Sequence, residues 1–441
     1  MTNGRVQVAN FIWHGDRVSH QDAWLESSDD ERSRFSGQFA FEGVDRRGRS
    51  VLARDRLGVN KLFFTLAGGS LEWSNFLVDL RREGVGLDQI WSVPSGHSVH
   101  IGETSEDFEL RKHAALTYHQ GEAASIEHHA REIRVGLEKT FERIADALGD
   151  RPVYVTMSGG LDSTTIASLA RQYLPNVQGV TFSLTDRHDQ EDSEDARFAV
   201  RVAEDLDIPI RLIRCTTDSI MELLDDVLLY GQDYRDFNVH CGLVNAVLGQ
   251  EIAANLASSG SETRAAPVLL TGDTMNELMA DYSAVDVDGR LYYELPRLDK
   301  GRLRRFLVNG LDSGDREVGI FARYGLDTIQ PYALCAELYT ALPGSLIAEE
   351  DSKQALVKEV MGDRVPAYVL DRPKVRAQAG DAAAGQGILG AFARANIDQA
   401  ELTSRFARLL DATLDDTKKL IRTGFYRFPD KLPGGQAHAG L

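Results

Sequence analysis

The apolar positions of this chain change rhythm near residue 120. Between residues 6 and 101, short apolar runs alternate with glycine-rich turns, as in "SGQFAFEGVDRRGRSVLARDRLG", "NKLFFTLAGGSLEWSN" and "WSVPSGHSVHI". Strand-turn-strand spacing of this kind predicts antiparallel sheets. Beyond the polar stretch "HAALTYHQGEAA", Ile126, Ala130, Ile133, Leu137, Phe141, Ile144 and Leu148 recur every three or four residues behind Ser125. That period predicts an amphipathic helix with Ser125 as its N-cap.

The next segment alternates between the two periods. Strands are predicted over 153–157, 177–184 and 209–215, and helices from about 163 and over 192–206. A βαβαβ run of this length is the pattern of a doubly wound parallel sheet. "PVLLTGD", residues 267–273, adds a further strand, and the rest to about residue 426 reads as mostly helical. The chain is therefore expected to be α/β, with an antiparallel β domain over 1–120, a parallel-sheet domain with a helical C-terminal part over 121–430, and a flexible tail over 431–441.

Composition narrows the function by exclusion. At 441 residues the chain exceeds one ordinary core, and two domains are expected. Its 43% hydrophobic and 26% charged residues suit a soluble globular protein. No apolar run approaches the roughly 20 residues of a membrane span. "MTNGRVQVANFIWHGD" lacks the apolar centre of a secretory signal, so a cytoplasmic address without a membrane partner is expected. Cys215, Cys241 and Cys335 are too scattered for a disulfide framework or a zinc site and are expected to be buried thiols. A formal charge of −18 argues against a nucleic-acid partner, leaving small molecules or peptides as substrates.

The junction "VYVTMSGGLDSTTIASLA" (153–170) places two glycines, an Asp and two serines between a buried strand and a helix. A helix N-terminus beyond a parallel strand offers free N–H groups and positive dipole to an anion. Gly159 and Gly160 allow close backbone approach, and Ser158 and Ser163 add hydroxyl donors. Asp162 would repel a bare phosphate but suits one carrying Mg²⁺. The plain alternative is a βα turn with Asp162 or Ser163 as N-cap.

"SGGLDS" lacks the Lys of the G-x-x-x-x-G-K-S/T loop and resembles the pyrophosphate (PP) loop of the ATP pyrophosphatases, which adenylate a substrate oxygen. "FSGQFAFEGVDRRGRSVLARDRLGVNKLFF", "LEWSN" and "VPSGH" resemble, in order, segments of the glutaminase domain of asparagine synthetases. "LLTGDTMNELMADY" is similar to that family's S-G-D/E-G-A/S-D-E-L-F/L-G-G-Y segment, and "RPKVRAQAG" to its R-x-K. The resemblance implies a truncated class II amidotransferase-like (Ntn-hydrolase-like) first domain and a second domain of the adenine-nucleotide α-hydrolase-like, PP-loop kind.

Carried over position by position, the resemblance implies that Ser158, Gly159, Gly160, Asp162 and Ser163 grip pyrophosphate, while Met157, Leu184, Thr271 and Gly272 hold adenosine. Asp273 is implied as general base or amine-positioning group, with Lys353 and Lys374 stabilising charge during adenylation and acyl transfer. Asp162 and Asn276 are the implied Mg²⁺ ligands. Asp236 and Glu194 match acidic positions but serve equally as helix caps, and His97 and His188 are expected at the surface or in turns.

Departures from the family pattern shape the expected function. Thr2 stands where the family keeps a catalytic Cys, and the stretch before "FSGQFAF" is shorter than a full glutaminase domain requires, so no glutamine hydrolysis is expected. Asn276 replaces the usual metal-binding Asp, with Glu277 a neighbour able to compensate, and Ala280 and Asp281 replace two glycines, implying a reshaped acceptor pocket. An intact adenylation loop beside a lost glutaminase is the pattern of β-lactam synthetases and lasso-peptide cyclases.

The expected activity is thus an ATP- and Mg²⁺-dependent, AMP-forming amide or lactam synthetase of specialised, antibiotic-type biosynthesis. Alternatives are ligation to free ammonia or a separate amine, lasso-type macrolactam closure, and a nucleotide-binding pseudo-enzyme. Sheet edges left by a truncated first domain would make a homodimer one way to cover them.

Overall fold

The computed structural model describes residues 6–102, 108–118, 124–186, 191–258, 265–287, 289–372, 387–422 and 425–427. The expected tail over 431–441 and the initiator region with Thr2 lie outside them. Every strand pair described before residue 113 is antiparallel, as the alternating pattern predicts. β1 (Phe11–His14) lies between β2 (Arg17–Ser19) and β3 (Phe35–Gln38). β5 (Ser50–Arg54) lies between β4 (Ala40–Val44) and β9 (His97–Ile101), and β9 also pairs with β10 (Phe108–Lys112). β6 (Phe63–Thr65) lies between β7 (Glu72–Ser74) and β8 (Trp91–Ser92).

The predicted amphipathic helix is α1 (Ile126–Leu148). Ser125 is its N-cap, accepting from the His128 N–H, and the apolar stripe from Ala130 to Leu148 is buried. The glycine junction then joins β11 (Val153–Thr156) to α2 (Leu161–Tyr173). β12 (Val177–Leu184), α3 (Glu194–Asp205) and β13 (Ile210–Cys215) follow within two residues of the predicted bounds. The 23-residue helix α4 (Asp236–Ser258) leads to β14 (Val268–Leu270), which stops three residues short of the predicted strand because 271–273 turn into the site.

After a short helix α5 (Met275–Met279) and the hairpin β15 (Val285–Val287) and β16 (Arg290–Tyr292), a fifth parallel strand, β17 (Asp327–Ile329), joins the sheet. The parallel order is β13-β12-β11-β14-β17. Successive residues feed opposite faces: Val153, Val155, Val268 and Leu270 enter one core with α1 and α2, while Tyr154 and Leu269 enter the other with α4. The chain winds outward from β11 to β13 and then returns to the other side of β11 with β14. Ligands of open parallel sheets bind beyond the strand ends at such a reversal.

The antiparallel segments are pinned to the parallel sheet and the segments around it by buried polar side chains. Gln38 Nε2 donates to the Thr328 carbonyl (2.8 Å), and the Gln330 N–H donates to Gln38 Oε1 (3.2 Å). Arg54, fully buried, donates to the Asp312 carbonyl (2.8 Å), and Lys61 Nζ donates to the Leu311 carbonyl (2.7 Å). In "RDRLGVNK" the Asp55 carboxylate accepts from the N–H groups of Leu57, Val59 and Asn60, which shapes this loop into a wall against residues 310–316.

Two expectations are corrected. His97 is buried at the start of β9, with Nδ1 2.8 Å from the Ser95 carbonyl, because its strand is covered on both faces. Of the cysteines only Cys335 is fully buried; Cys215 and Cys241 are half-buried, and none forms a disulfide. His188 lies outside the described residues. No described helix is long and apolar enough to cross a membrane.

Candidate active site

The turn from β11 to α2 is built by its own hydroxyls. The Ser158 N–H donates to Ser163 Oγ (3.2 Å), Ser163 Oγ donates to the Gly160 carbonyl (3.2 Å), and the Gly160 N–H donates to Ser158 Oγ (3.3 Å). Gly159 has φ +67°, and a Cβ there would come within 2.7 Å of the Ala199 backbone nitrogen. Only glycine fits this position. Gly160 caps α2 without a side-chain hydrogen bond, so the first N–H groups of the helix remain available to an anion. Across the reversal, a Cβ on Gly272 would lie 2.9 Å from the Ser163 backbone nitrogen, so that glycine lets the β14 turn sit against the start of α2.

Between these turns lies a cavity of about 240 Å³ lined by Met157, Ser158, Asp162, Ser163, Asp273 and Asn276, among others. Leu184 and Thr271 do not line it. Leu184 ends β12 in the core, and Thr271 Oγ1 donates to Glu317 Oε2 (2.6 Å). Arg372, outside the expected set, reaches the loop: it donates to the Ser158 carbonyl (3.2 Å) and to Asp195 (2.5 Å) and lies over the Phe198 ring. Glu194, at the first turn of α3, is the second carboxylate of that pair. Lys374 lies outside the described residues.

The implied metal ligands converge on an ammonium. Lys353, buried on α6 (Ser352–Met361), donates to Asp162 Oδ2 (2.6 Å), Asn276 Oδ1 (2.8 Å) and Asp281 Oδ2 (3.1 Å). Burial opposes its charge, but Asp162 and Asp281 outweigh it and hold its pKa above the ordinary lysine value. Asp162 Oδ1 is buried with no hydrogen-bond partner among the described residues. Two carboxylates, one of them with an orphaned oxygen, and an amide oxygen are hard oxygen donors that suit Mg²⁺. Among the described residues no three His, Cys, Asp or Glu side chains form a metal cluster, so phosphate oxygens would have to complete the coordination.

Beside this cavity lies a second, of about 330 Å³, which shares Phe237, Asp273, Tyr282 and Arg316 with it. Arg316 grips Asp273 through two hydrogen bonds (2.5 and 2.7 Å) and reaches Glu277 Oε1 (2.6 Å), where the Tyr282 hydroxyl also donates. Burial raises the pKa of Asp273 against the pull of Arg316. At Glu277, burial is outweighed by Arg316 and Tyr282, and the carboxyl is held below its usual range. Burial first, and then the Asp273 charge, push Glu317 well above its usual range. Asp236, at the first turn of α4, accepts from the Phe237 N–H (2.7 Å) and lines the second cavity, as do Val59 and Lys61 of the antiparallel domain.

Sequence reading missed Arg316 and Gln330, and it included Arg372 and Tyr282 in the quoted family segments without giving either a role. The alternating acid-base string "DSGDREVG" (312–319) was the available signal for Arg316.

The asparagine synthase family model matches residues 136–313. The amidase chyE of Penicillium rubens is 24% identical over 332 residues, covering 66% of this chain and 47% of that protein. The glutamine-hydrolyzing asparagine synthetase 2 of Lotus japonicus is 23% identical over 252 residues, covering 56% and 40%. The amidase chry2 of Gibberella zeae is 26% identical over 267 residues, covering 52% and 40%. The chain thus spans less than half the length of these curated relatives. Among solved structures, the NMN synthetase from Francisella tularensis is 12% identical with a TM-score of 0.30, covering 67% of this chain and 92% of that one. Over residues 136–313 this chain is similar to the asparagine synthase family.

Proposed function

We propose that the chain is an ATP-dependent, AMP-forming amide synthetase that takes its amine from a substrate rather than from glutamine, with a glutaminase-like first domain serving as scaffold. One observation carries the reading: a glycine-built anion loop and a second cavity adjoin at the reversal of a parallel sheet and share Asp273 and Arg316. The loop N–H groups and Ser158 and Ser163 bind the β and γ phosphates, leaving the α phosphorus exposed to a substrate carboxylate. Asp162, with Asn276 and Asp281, would hold Mg²⁺, which when bound supplies charge neutralisation at the phosphates.

A carboxylate oxygen forms a bond to the α phosphorus as the bond to pyrophosphate breaks. The amine nitrogen then forms its bond to the acyl carbon while the bond to AMP breaks, and the protons shed by nitrogen pass to the Asp273 and Glu277 carboxylates. An amine held beside the acyl carbon needs no delivered ammonia, and such proximity supplies up to about 7–11 kcal/mol of the barrier. Lys353 and Lys374 are the cations we assign to the phosphates and the developing oxyanion.

The Lys353 contact with Asp162 and Asn276 favours a second reading, a nucleotide-binding pseudo-enzyme whose cation site is filled by its own lysine. Mass spectrometry separates the two. The ligase yields AMP, pyrophosphate and a product lighter by one water than its precursors, with glutamine left intact; ATP binding without any such product supports the pseudo-enzyme.

A further inference from the structure

We propose that the second cavity is the site of the amine substrate, and that it takes an organic ammonium with an apolar, ring-sized body rather than ammonia. The inference rests on the ligase reading above and adds the chemical class of its amine.

Size argues first. A volume of about 330 Å³ is far beyond the roughly 30 Å³ that a water or ammonia occupies. Apolar and aromatic walls argue next. Phe237 meets Tyr282 and Tyr293 edge to face at 5.2 and 5.0 Å, and Phe306 and Leu307 line the cavity beside them. Tyr293 carries φ +61°, a strained value for an aromatic residue, and its hydroxyl lies 2.8 Å from His240 Nδ1.

Charge decides the sign of the ligand. Each cation lining the cavity is already engaged: Arg316 by Asp273 and Glu277, Arg235 by Asp233 (2.7 Å), and Lys61 by the Gly58 and Leu311 carbonyls (2.6 and 2.7 Å). No cation among the described residues stands against Asp236 or Glu294 in an ion pair. Glu277, whose residue is only 4% exposed, lines the same cavity, and its Oε2 has no hydrogen-bond donor among the described residues. A buried carboxylate oxygen without a donor is costly and calls for an N–H or O–H from a ligand. Arg290 acts on Asp236 only at longer range and Arg316 engages Glu277 through Oε1, so a carboxylate in this cavity would meet further carboxylates, whereas an ammonium supplies the donor that Glu277 Oε2 lacks.

Calorimetric titration of the full chain with phenethylamine, 3-phenylpropionate and ammonium chloride tests this, with and without a non-hydrolysable ATP analogue. Phenethylamine should bind saturably, about tenfold or more tighter than the carboxylate of the same shape, and ammonium should not compete with it. Asp236→Asn and, separately, the half-exposed Phe306→Ser should each weaken phenethylamine several-fold while leaving ATP-analogue affinity unchanged, which also reports that the variants fold. Equal or tighter binding of 3-phenylpropionate, effective competition by ammonium, or unaltered phenethylamine affinity in both variants would overturn the proposal. Amine binding without carboxylate-dependent pyrophosphate exchange would remove the ligase reading and leave the site; exchange without amine binding would do the reverse.

Discussion

The Lys353 ammonium lies 2.6 Å from Asp162 Oδ2, so the acidic residue of the β11–α2 turn is neutralised by a helix 191 residues further along the chain. Asn276 and Asp281 complete the same cation's shell. Lys353→Met should remove the ammonium that Asp162 and Asp281 share, and breaking a buried pair in this way costs about 3–5 kcal/mol. Millimolar Mg²⁺ without nucleotide should then raise the melting temperature of Lys353→Met more than that of the wild type. If neither protein responds to Mg²⁺, these oxygens are not a cation site.

Arg316 is the hub of the shared wall. Arg316→Met should destabilise the chain by about 3–5 kcal/mol, since Asp273 and Glu277 lose their common partner in a buried setting. Adding Asp273→Asn to that variant should recover part of the loss. Denaturant midpoints measure both, and additive losses in the double variant would show that the two residues are not coupled.

Thr274 sits at φ +80° where the resembled family segment has glycine, and its hydroxyl donates to Gln330 Oε1 (3.0 Å). Thr274→Ala and Thr274→Gly both lose that hydrogen bond, but only glycine relieves the backbone. The Gly variant should therefore be more stable than the Ala variant by about 1 kcal/mol. Thermal unfolding of the pair decides it, and a more stable Ala variant would mean that the turn carries no strain.

Three histidines, His100 and His240 buried and His113 half-buried, set an acid limit on the fold. Burial lowers His100 and His113 to about 4 and His240 to about 3. Their folded pKa values are depressed, so the unfolded chain binds more protons below pH 6.5. Stability is fully present above that value and falls as the pH drops from 6.5 toward 4. Replacing His240 by Asn should flatten this slope by up to about 1.4 kcal/mol per pH unit. An unchanged slope would show that His240 is not protonated on unfolding.

Legibility in the sequence followed how locally each feature is specified. Helix α1, the β11–α2 turn and the parallel βαβαβ run were readable because period, cap and glycines lie within a few residues of one another. Helix α4 was not, because its buried positions, from Val239 and His240 to Gly249 and Ile252, include adjacent pairs and leave no single apolar stripe. Strand β17 offers only three residues, too few to show a period. Asn276 was visible as a departure, but its contact with Lys353 joins positions 77 apart, and Arg316 reaches Asp273 across 43. Such pairings are set by the sheet order and are invisible to spacing.

ATP–pyrophosphate exchange tests most directly the proposal that a substrate carboxylate is activated on ATP at the Ser158 to Ser163 loop. Wild-type protein should exchange label only when its carboxylate substrate is supplied. Asp162→Ala should lose about 10²-fold or more of that exchange with its circular dichroism unchanged, while Glu277→Gln should keep exchange and lose amide formation. Near-normal exchange in Asp162→Ala, or ATP binding by the wild type without exchange for any carboxylate of a broad panel, would contradict it.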